Sequence, residues 1–201
     1  MDRINIGIVD DHPLFVDGVK QLLIGDTRLS VVFEADNSVN ALEKMKCHSV
    51  DLVILDQTLN HSYGMDLLKD LKTEYPHVAV LFVSMHDESY MAKRVRAAGA
   101  DGYLMKSENP ENILLAIQTL LNGETYFRSC AELQERDNPV GLLSDREFVI
   151  FILMGQGKGT KEIAEELEIS IKTVETHKSR MKKKLGITDA IELQKYCIQW
   201  G

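Results

Sequence analysis

From residue 4 to residue 121 the chain alternates short apolar runs with stretches of helical spacing, five times over. This order constrains the fold more than any other feature of the sequence. Residues 4–9 (INIGIV), 29–34, 51–55 (DLVIL), 77–83 (HVAVLFV) and 102–105 read as strands. Residues 14–23, 38–46, 64–75, 88–98 and 111–121 carry apolar side chains at helical intervals, with Pro76 closing the third and Gly123 following the last. Strict alternation of strand and helix requires crossover connections, which predicts a five-stranded parallel sheet, doubly wound with helices on both faces. Near-continuous apolar strands fit a sheet covered on both sides. In such a sheet chemistry gathers beyond the carboxyl ends of the strands, where the strand order reverses.

The alternation stops near residue 122, so residues 1–122 are expected to form one domain. Residues 123–143 read as a linker, with Asn138-Pro139 marking a turn and a short helix expected over residues 130–136. Residues 144–201 are expected to be a second domain of four helices. Ser144 and Glu147 have capping-box spacing. After Gly155, Gly157 and Gly159 a helix is expected over residues 160–167, then a tight turn ending in Ser170, a plausible N-cap. Ile171, Val174, Met181 and Leu185 share one face of a third helix that Gly186 ends, and Thr188 can cap a fourth running to about residue 199.

Charge divides the chain at the same place. The net charge is −8, which by itself argues against nucleic acid as a partner. Up to Leu143 there are 13 basic and 22 acidic residues, a balance of −9; from Ser144 onward there are 10 and 9, a balance of +1. Residues 172–184 hold six basic residues against one acid, Glu175. An acidic front and a locally basic back predict two domains with different partners. The three cysteines, Cys47, Cys130 and Cys197, are widely spaced and odd in number, which fits three unpaired thiols in a reducing cytoplasm. No apolar run reaches the about 18 residues a membrane span needs, and the first residues are not built like a secretory signal.

Four polar features fall where predicted strands end: Asp10-Asp11 after the first, Asp56 after the third, Ser84 after the fourth and Lys106 after the fifth. Each alone has an ordinary structural explanation, because Asp and Ser cap helices and Lys is usually a solvated surface charge. Together they lie on one sheet edge. Three gathered carboxylates repel and raise one another's pKa values, and a hard divalent cation such as Mg²⁺ relieves the repulsion. A carboxylate beside such an ion can attack a phosphoryl group, while a Lys and a hydroxyl stabilise the charge that is transferred.

In order and spacing these residues, within VDDHPLF, LVILDQTL, VLFVSMHD and GADGYLMKS, resemble the receiver domain of two-component response regulators of the LuxR-type (NarL/FixJ) family. The resemblance implies a flavodoxin-like fold in which Asp56 is the phosphoryl acceptor and Asp10, Asp11, Asp56 and the backbone carbonyl of Thr58 bind Mg²⁺. Ser84 and Lys106 then contact the phosphoryl group. Tyr103 takes the place of the switch aromatic and is expected to turn inward when Ser84 moves toward the phosphate. A sensor histidine kinase is the implied partner, and the domain would catalyse only its own phosphorylation and dephosphorylation. Leu59-Asn60 stand where the family carries Met-Pro, which leaves that loop without its usual rigid residue.

The back of the chain has helix-turn-helix spacing, a weak signal alone. LSDRE followed by KEIAEEL, IS, TVE, H, M and KLGI resembles the LuxR-type helix-turn-helix at most positions. The resemblance implies a core of Ile163, Ala164, Leu167, Ile169, Val174, Met181 and Leu185. Glu175, Thr176 and Ser179 then face base edges, while Thr173, His177, Lys178 and Lys183 approach phosphates of double-stranded promoter DNA; Lys172 adds to the same DNA-binding helix, and a homodimer is expected on activation. A solvated helix face is the plain alternative for such a charge run. Val149 and Ala190 stand where an acid and an Arg are common. Two other functions fit parts of the pattern: a pseudo-receiver that binds DNA without phosphorylation, and a Mg²⁺-dependent aspartyl-phosphate phosphatase. The phosphatase pattern, D-x-D-x-T after the first strand, is not what Asp10-Asp11 offers.

Overall fold

The computed structural model describes residues 3–60, 62–85, 88–127 and 139–200. The chain separates into two compact units, Met1–Glu132 and Leu133–Gly201. Among the described residues no helix is long and apolar enough to cross a membrane.

In the first unit β1 (Ile4–Val9), β2 (Leu29–Ala35) and β3 (Leu52–Asp56) alternate with α1 (Pro13–Leu23) and α2 (Ser38–Cys47). A short hairpin follows, β4 (Thr58–Leu59) with β5 (Ser62–Tyr63), and then α3 (Gly64–Glu74), β6 (Ala79–Ser84), α4 (Glu88–Ala97), β7 (Gly102–Met105), α5 (Pro110–Leu121) and β8 (Tyr126–Phe127). The main sheet has the order β2-β1-β3-β6-β7-β8 with every pair parallel. It therefore has six strands, not five. The sixth comes from the stretch expected to be linker: Tyr126 pairs with Gly102, and the Arg96 guanidinium lies 5.3 Å from the Phe127 ring centroid. Two residues are too few to show a strand period. The helix expected over residues 130–136 lies outside the described residues.

Period-two alternation sends each strand's side chains to two cores. Ile6, Ile8, Leu52, Ile54, Leu81, Val83 and Leu104 pack with Val16, Val19 and Leu23 of α1 and Ile113, Ala116, Ile117 and Leu120 of α5. Val53, Leu55, Phe82 and Tyr103 are equally buried on the opposite side, where α2, α3 and α4 contact the sheet. Burial on both faces is why the strands read as continuous apolar runs. The loop after Asp56, which lacks its usual proline, is held instead by the Thr58–Tyr63 and Leu59–Ser62 pairs and by Asn60 N–H donating to the Asp36 carbonyl at 3.0 Å.

The second unit opens with a 3-10 turn, Pro139–Leu142. Val140 and Leu143 are buried, so this end of the expected linker also belongs to a folded unit. Four helices follow: α6 (Asp145–Gly155), α7 (Thr160–Glu166), α8 (Ile171–Leu185) and α9 (Ala190–Trp200). The Ser144–Glu147 capping box is complete. Ser170 caps α8 through the Thr173 N–H, and Gly186 closes it in the left-handed region at φ 70°, a conformation glycine adopts without strain. At the start of α9, Asp189 takes the role expected of Thr188, accepting from the Ile191 N–H at 3.1 Å. Ile163, Ala164, Leu167, Val174 and Met181 are buried, whereas Ile171 is 53% exposed and stands off the apolar face it was expected to share.

Candidate functional site

Strand register assembles the first site. Val9 is paired with Leu55, Asp56 with Val83, and Ser84 with Met105. The residues at or just beyond these positions, Asp10, Asp56, Ser84 and Lys106, are therefore neighbours although they are far apart in sequence. The sheet order reverses between β1 and β3, which leaves a crevice at their carboxyl ends. Gly64 permits the close return of the chain: a Cβ there would fall 1.9 Å from the Asp56 carbonyl oxygen.

Lys106 Nζ sits between two buried carboxylates, 2.7 Å from Asp10 Oδ2 and 2.9 Å from Asp56 Oδ2. Its side chain is only 4% exposed, and the Phe15 ring lies 4.8 Å from it. Asp56 Oδ1 accepts from the Gln57 N–H at 2.7 Å. Burial, and then the negative charge of Asp10, push the Asp56 carboxyl up to about 7 against the opposing pull of Lys106 and the Gln57 N–H. Asp10, Asp11, His12 and Asp56 each bring one donor atom within 4.8 Å of the others. Asp10 Oδ2 and Asp11 Oδ1 are buried yet accept no hydrogen bond of good geometry, despite Lys106 at 2.7 Å from the first and His12 Nδ1 at 2.8 Å from the second. Carboxylate oxygens gathered in this way suit a hard divalent cation, so the residues present fit Mg²⁺. Thr58 opens β4, two positions beyond Asp56.

The second site lies on α8. Lys172, Glu175, Thr176, Ser179 and Lys183 are exposed, and Thr173, His177 and Lys178 are half-buried. Lys178 Nζ donates to Thr160 Oγ1 at 2.9 Å and lies 3.1 Å from Glu175 Oε1, which also accepts from Thr160 Oγ1 at 2.9 Å. Burial draws the His177 imidazole below its ordinary value against the pull of Glu147, with Arg180 and Arg146 adding to the fall. Lys184 Nζ pairs with the buried Glu147 at 2.7 Å, which takes it out of the free basic surface.

Residues 6–118 match the response regulator receiver domain, and residues 141–197 match the luxR family of bacterial regulatory proteins. The chain is a LuxR-type response regulator. It is 34% identical to the Fimbriae Z protein of Salmonella typhimurium over 98% of this chain and 97% of that one. It is 30% identical to the response regulator UvrY of Escherichia coli K12, over 98% of this chain and 95% of that one. Among solved structures, the RcsB response regulator of Salmonella typhimurium aligns with a TM-score of 0.79 at 25% identity, covering 99% of this chain and 98% of that one. RcsB of Salmonella enterica serovar Typhimurium, bound to promoter P1flhDC in the presence of the phosphomimetic BeF3⁻, aligns with a TM-score of 0.74 at 25% identity, covering 98% and 100%.

Against this family background four features of the regulator have no plain signal in its sequence. Tyr103 is already inside, 1% exposed, with its ring stacked 6.4 Å from that of Phe82; the expected inward turn has no outward starting point here. The buried Ser84 hydroxyl donates to Gln57 Oε1, a partner whose only signal was its place next to Asp56. His12 joins the carboxylate cluster, and its signal was a third ligand-type residue in the run D-D-H. Thr160, which links Glu175 and Lys178, gave no sequence signal beyond its place at a helix start.

Proposed function

We propose that this response regulator is a phosphorylation-controlled, DNA-binding transcription regulator working in the cytoplasm. Its receiver unit reaches through Phe127 and its DNA-binding unit starts near Pro139. The observation that carries the reading is Lys106 Nζ within 3 Å of both Asp10 and Asp56 carboxylates at the sheet's switch point. In the proposed reaction an Asp56 carboxylate oxygen bonds to phosphorus. The phosphorus–nitrogen bond to the phosphohistidine of a sensor kinase breaks, and the departing imidazole keeps the electron pair. Lys106 neutralises charge on the transferring group, and the Ser84 hydroxyl donates to one of its oxygens. Asp10, Asp11, Asp56 and the Thr58 carbonyl would hold Mg²⁺, which when bound offsets the charge of the phosphoryl oxygens.

For the second unit we assign Glu175, Thr176 and Ser179 to base edges and Lys172, Thr173, His177, Lys178 and Lys183 to the DNA backbone. The exposed α8 face supports this, as do promoter-bound structures of the relative RcsB. A half-buried imidazole with a lowered pKa serves there as a neutral hydrogen-bond donor, not as a charge. We assign dimer formation on phosphorylation in part to α9, which leaves Ile191 and Ile198 exposed one heptad apart.

Acetyl phosphate with Mg²⁺, read by intact mass, tests the first half. Wild type gains one phosphoryl group and Asp56→Asn gains none, because an amide is a poor nucleophile. Sedimentation beside DNA titration, with and without beryllofluoride, tests the second. Coupling between sites of about 1–3 kcal/mol predicts a gain in DNA affinity of about 5- to 150-fold together with a larger dimer fraction. Equal affinity and equal dimer fraction in both states would leave a receiver that does not control DNA binding.

A further inference from the structure

The exposed face of α8 begins with an apolar side chain. Ile171, Glu175 and Ser179 recur every four residues along the helix, with Lys172, Thr176 and Arg180 beside them, and all six are exposed. Residues four apart lie one above the other on a helix face. The buried stripe is a different one, carried by Val174 and Met181. Ile171, 53% exposed, belongs to the outward stripe, where the other five residues are polar or charged.

The helix itself does not call for an isoleucine there. Ser170 caps α8 by accepting from the Thr173 N–H at 3.0 Å, and Ile171 is the first helical residue after it. The helix dipole favours an acid in that turn, and a β-branched side chain lowers helix propensity. No acidic side chain stands in the first turn of α8, so no carboxylate there repels the phosphates that border a DNA groove.

The neighbours on this face have their polar groups engaged. Thr176 Oγ1 donates to the Lys172 carbonyl at 2.8 Å, and the Glu175 carboxyl is held by Thr160 and Lys178. An isoleucine side chain has no hydrogen-bonding group, so the only base-edge feature it can recognise is apolar. The major groove offers one, the C5 methyl of thymine. The N-terminal residues of a recognition helix are those that meet base edges, and Ile171 stands at that end. Ile171 and Glu175 are separated by roughly 6 Å along the helix, about two base steps of roughly 3.4 Å each, so they meet different base pairs.

We propose that Ile171 is a specificity-determining residue that reads the C5 methyl group of a thymine in the major groove, next to the base pair read by Glu175. The inference rests on the proposed reading of α8 as the helix that enters the groove. Burying one such group against an aliphatic side chain is worth a factor of roughly 4 in affinity.

The test uses the full-length chain with and without beryllofluoride and Mg²⁺, so that it does not depend on the receiver switch. Selection from a randomised duplex library gives a bound sequence. Each thymine in it is then replaced by deoxyuridine, which pairs in the same way and lacks only the C5 methyl. The wild type is expected to lose roughly 3- to 10-fold in affinity at one thymine of each half-site. Ile171→Ala and Ile171→Gln should bind the thymine and deoxyuridine duplexes equally at that position, and the salt dependence of Ile171→Ala should match the wild type because no phosphate contact is lost. The scan of the wild type does not depend on a variant folding. A wild type indifferent to every methyl group, or a methyl effect undiminished in both variants, would overturn the proposal; the second result would pass the contact to another side chain, such as the methyl of Thr176. Failure of the wild type to enrich any sequence in either condition would instead remove the reading of α8 as a base-reading helix, and this inference with it.

Discussion

The Ser84 hydroxyl donates to Gln57 Oε1, and both side chains are buried beside Asp56. A hydroxyl carries one proton. If Ser84 is to donate to a phosphoryl oxygen on Asp56, it must release Gln57, so the two side chains form a contact that opposes the phosphorylated state. Gln57→Met removes the competing acceptor. One hydrogen bond is worth about 0.5–1.5 kcal/mol net, so beryllofluoride should bind about 2- to 12-fold more tightly, as read by ¹⁹F resonance. In a Ser84→Ala background the same substitution should change nothing. A tighter complex in both backgrounds would show that Gln57 acts by some route other than Ser84.

The tie between Glu175 and Lys178 alters what each substitution should do to DNA binding. Lys178→Ala removes a phosphate-directed charge, and it also frees Glu175, which Lys178 and Thr160 hold in place. It should therefore change base preference at the position Glu175 reads, besides weakening all complexes. Lys183→Ala has no such link to Glu175 and should only flatten the salt dependence by about one unit of slope. Binding to a randomised half-site library at two salt concentrations separates the two patterns. An unchanged base preference in Lys178→Ala would break the link.

Gly64→Ala tests how closely the chain must pass the acceptor. The added Cβ would fall 1.9 Å from the Asp56 carbonyl oxygen, and a backbone atom cannot swing aside as a side chain can. Overpacking typically costs about 1–3 kcal/mol and occasionally more; we expect about 3 kcal/mol here, with Asp56 displaced. Thermal unfolding should show the loss, and labelling by acetyl phosphate should be reduced even at temperatures where the variant is folded. A variant with wild-type stability and labelling would mean that α3 can shift without cost.

Glu147 should make the second unit sensitive to acid. Burial would raise its carboxyl pKa, but the hydrogen bonds from Lys184 and the Ser144 N–H, with the Lys184 charge, hold it below its ordinary 4.5. A carboxyl whose folded pKa is depressed contributes stability above its unfolded pKa and loses that contribution as pH falls through the folded value. The stabilisation should therefore be complete at neutral pH and decline below about pH 4.5. Glu147→Gln keeps an acceptor for the Ser144 N–H but loses the charge pairing. It should cost about 1 kcal/mol at pH 7 and converge on the wild type in acid. A constant difference across pH, measured by urea unfolding, would contradict the assignment.

The sequence alone determined the order of the five longer strands and their crossover helices, the parallel sheet and the positions of Asp10, Asp56, Ser84 and Lys106, because each of these is written in a local pattern. Apolar runs of strand length mark the strands, helical spacing marks the crossovers, and a polar residue directly after an apolar run marks a strand end. The two-residue strands Tyr126–Phe127, Thr58–Leu59 and Ser62–Tyr63 were beyond reach, because no period can be read from two residues and their pairing is decided by partners elsewhere in the chain. The side-chain meetings were beyond reach for a related reason. Lys106 and His12 are 94 positions apart and lie 3.4 Å from each other, while Ser84 and Gln57 are 27 apart and share a hydrogen bond. Local patterning fixes which face of an element is apolar. Which polar atoms then touch depends on strand register, on Gly64 letting the chain pass close to Asp56, and on the rotamers that packing leaves open. Those are properties of the assembled sheet, and only the tertiary structure decides them.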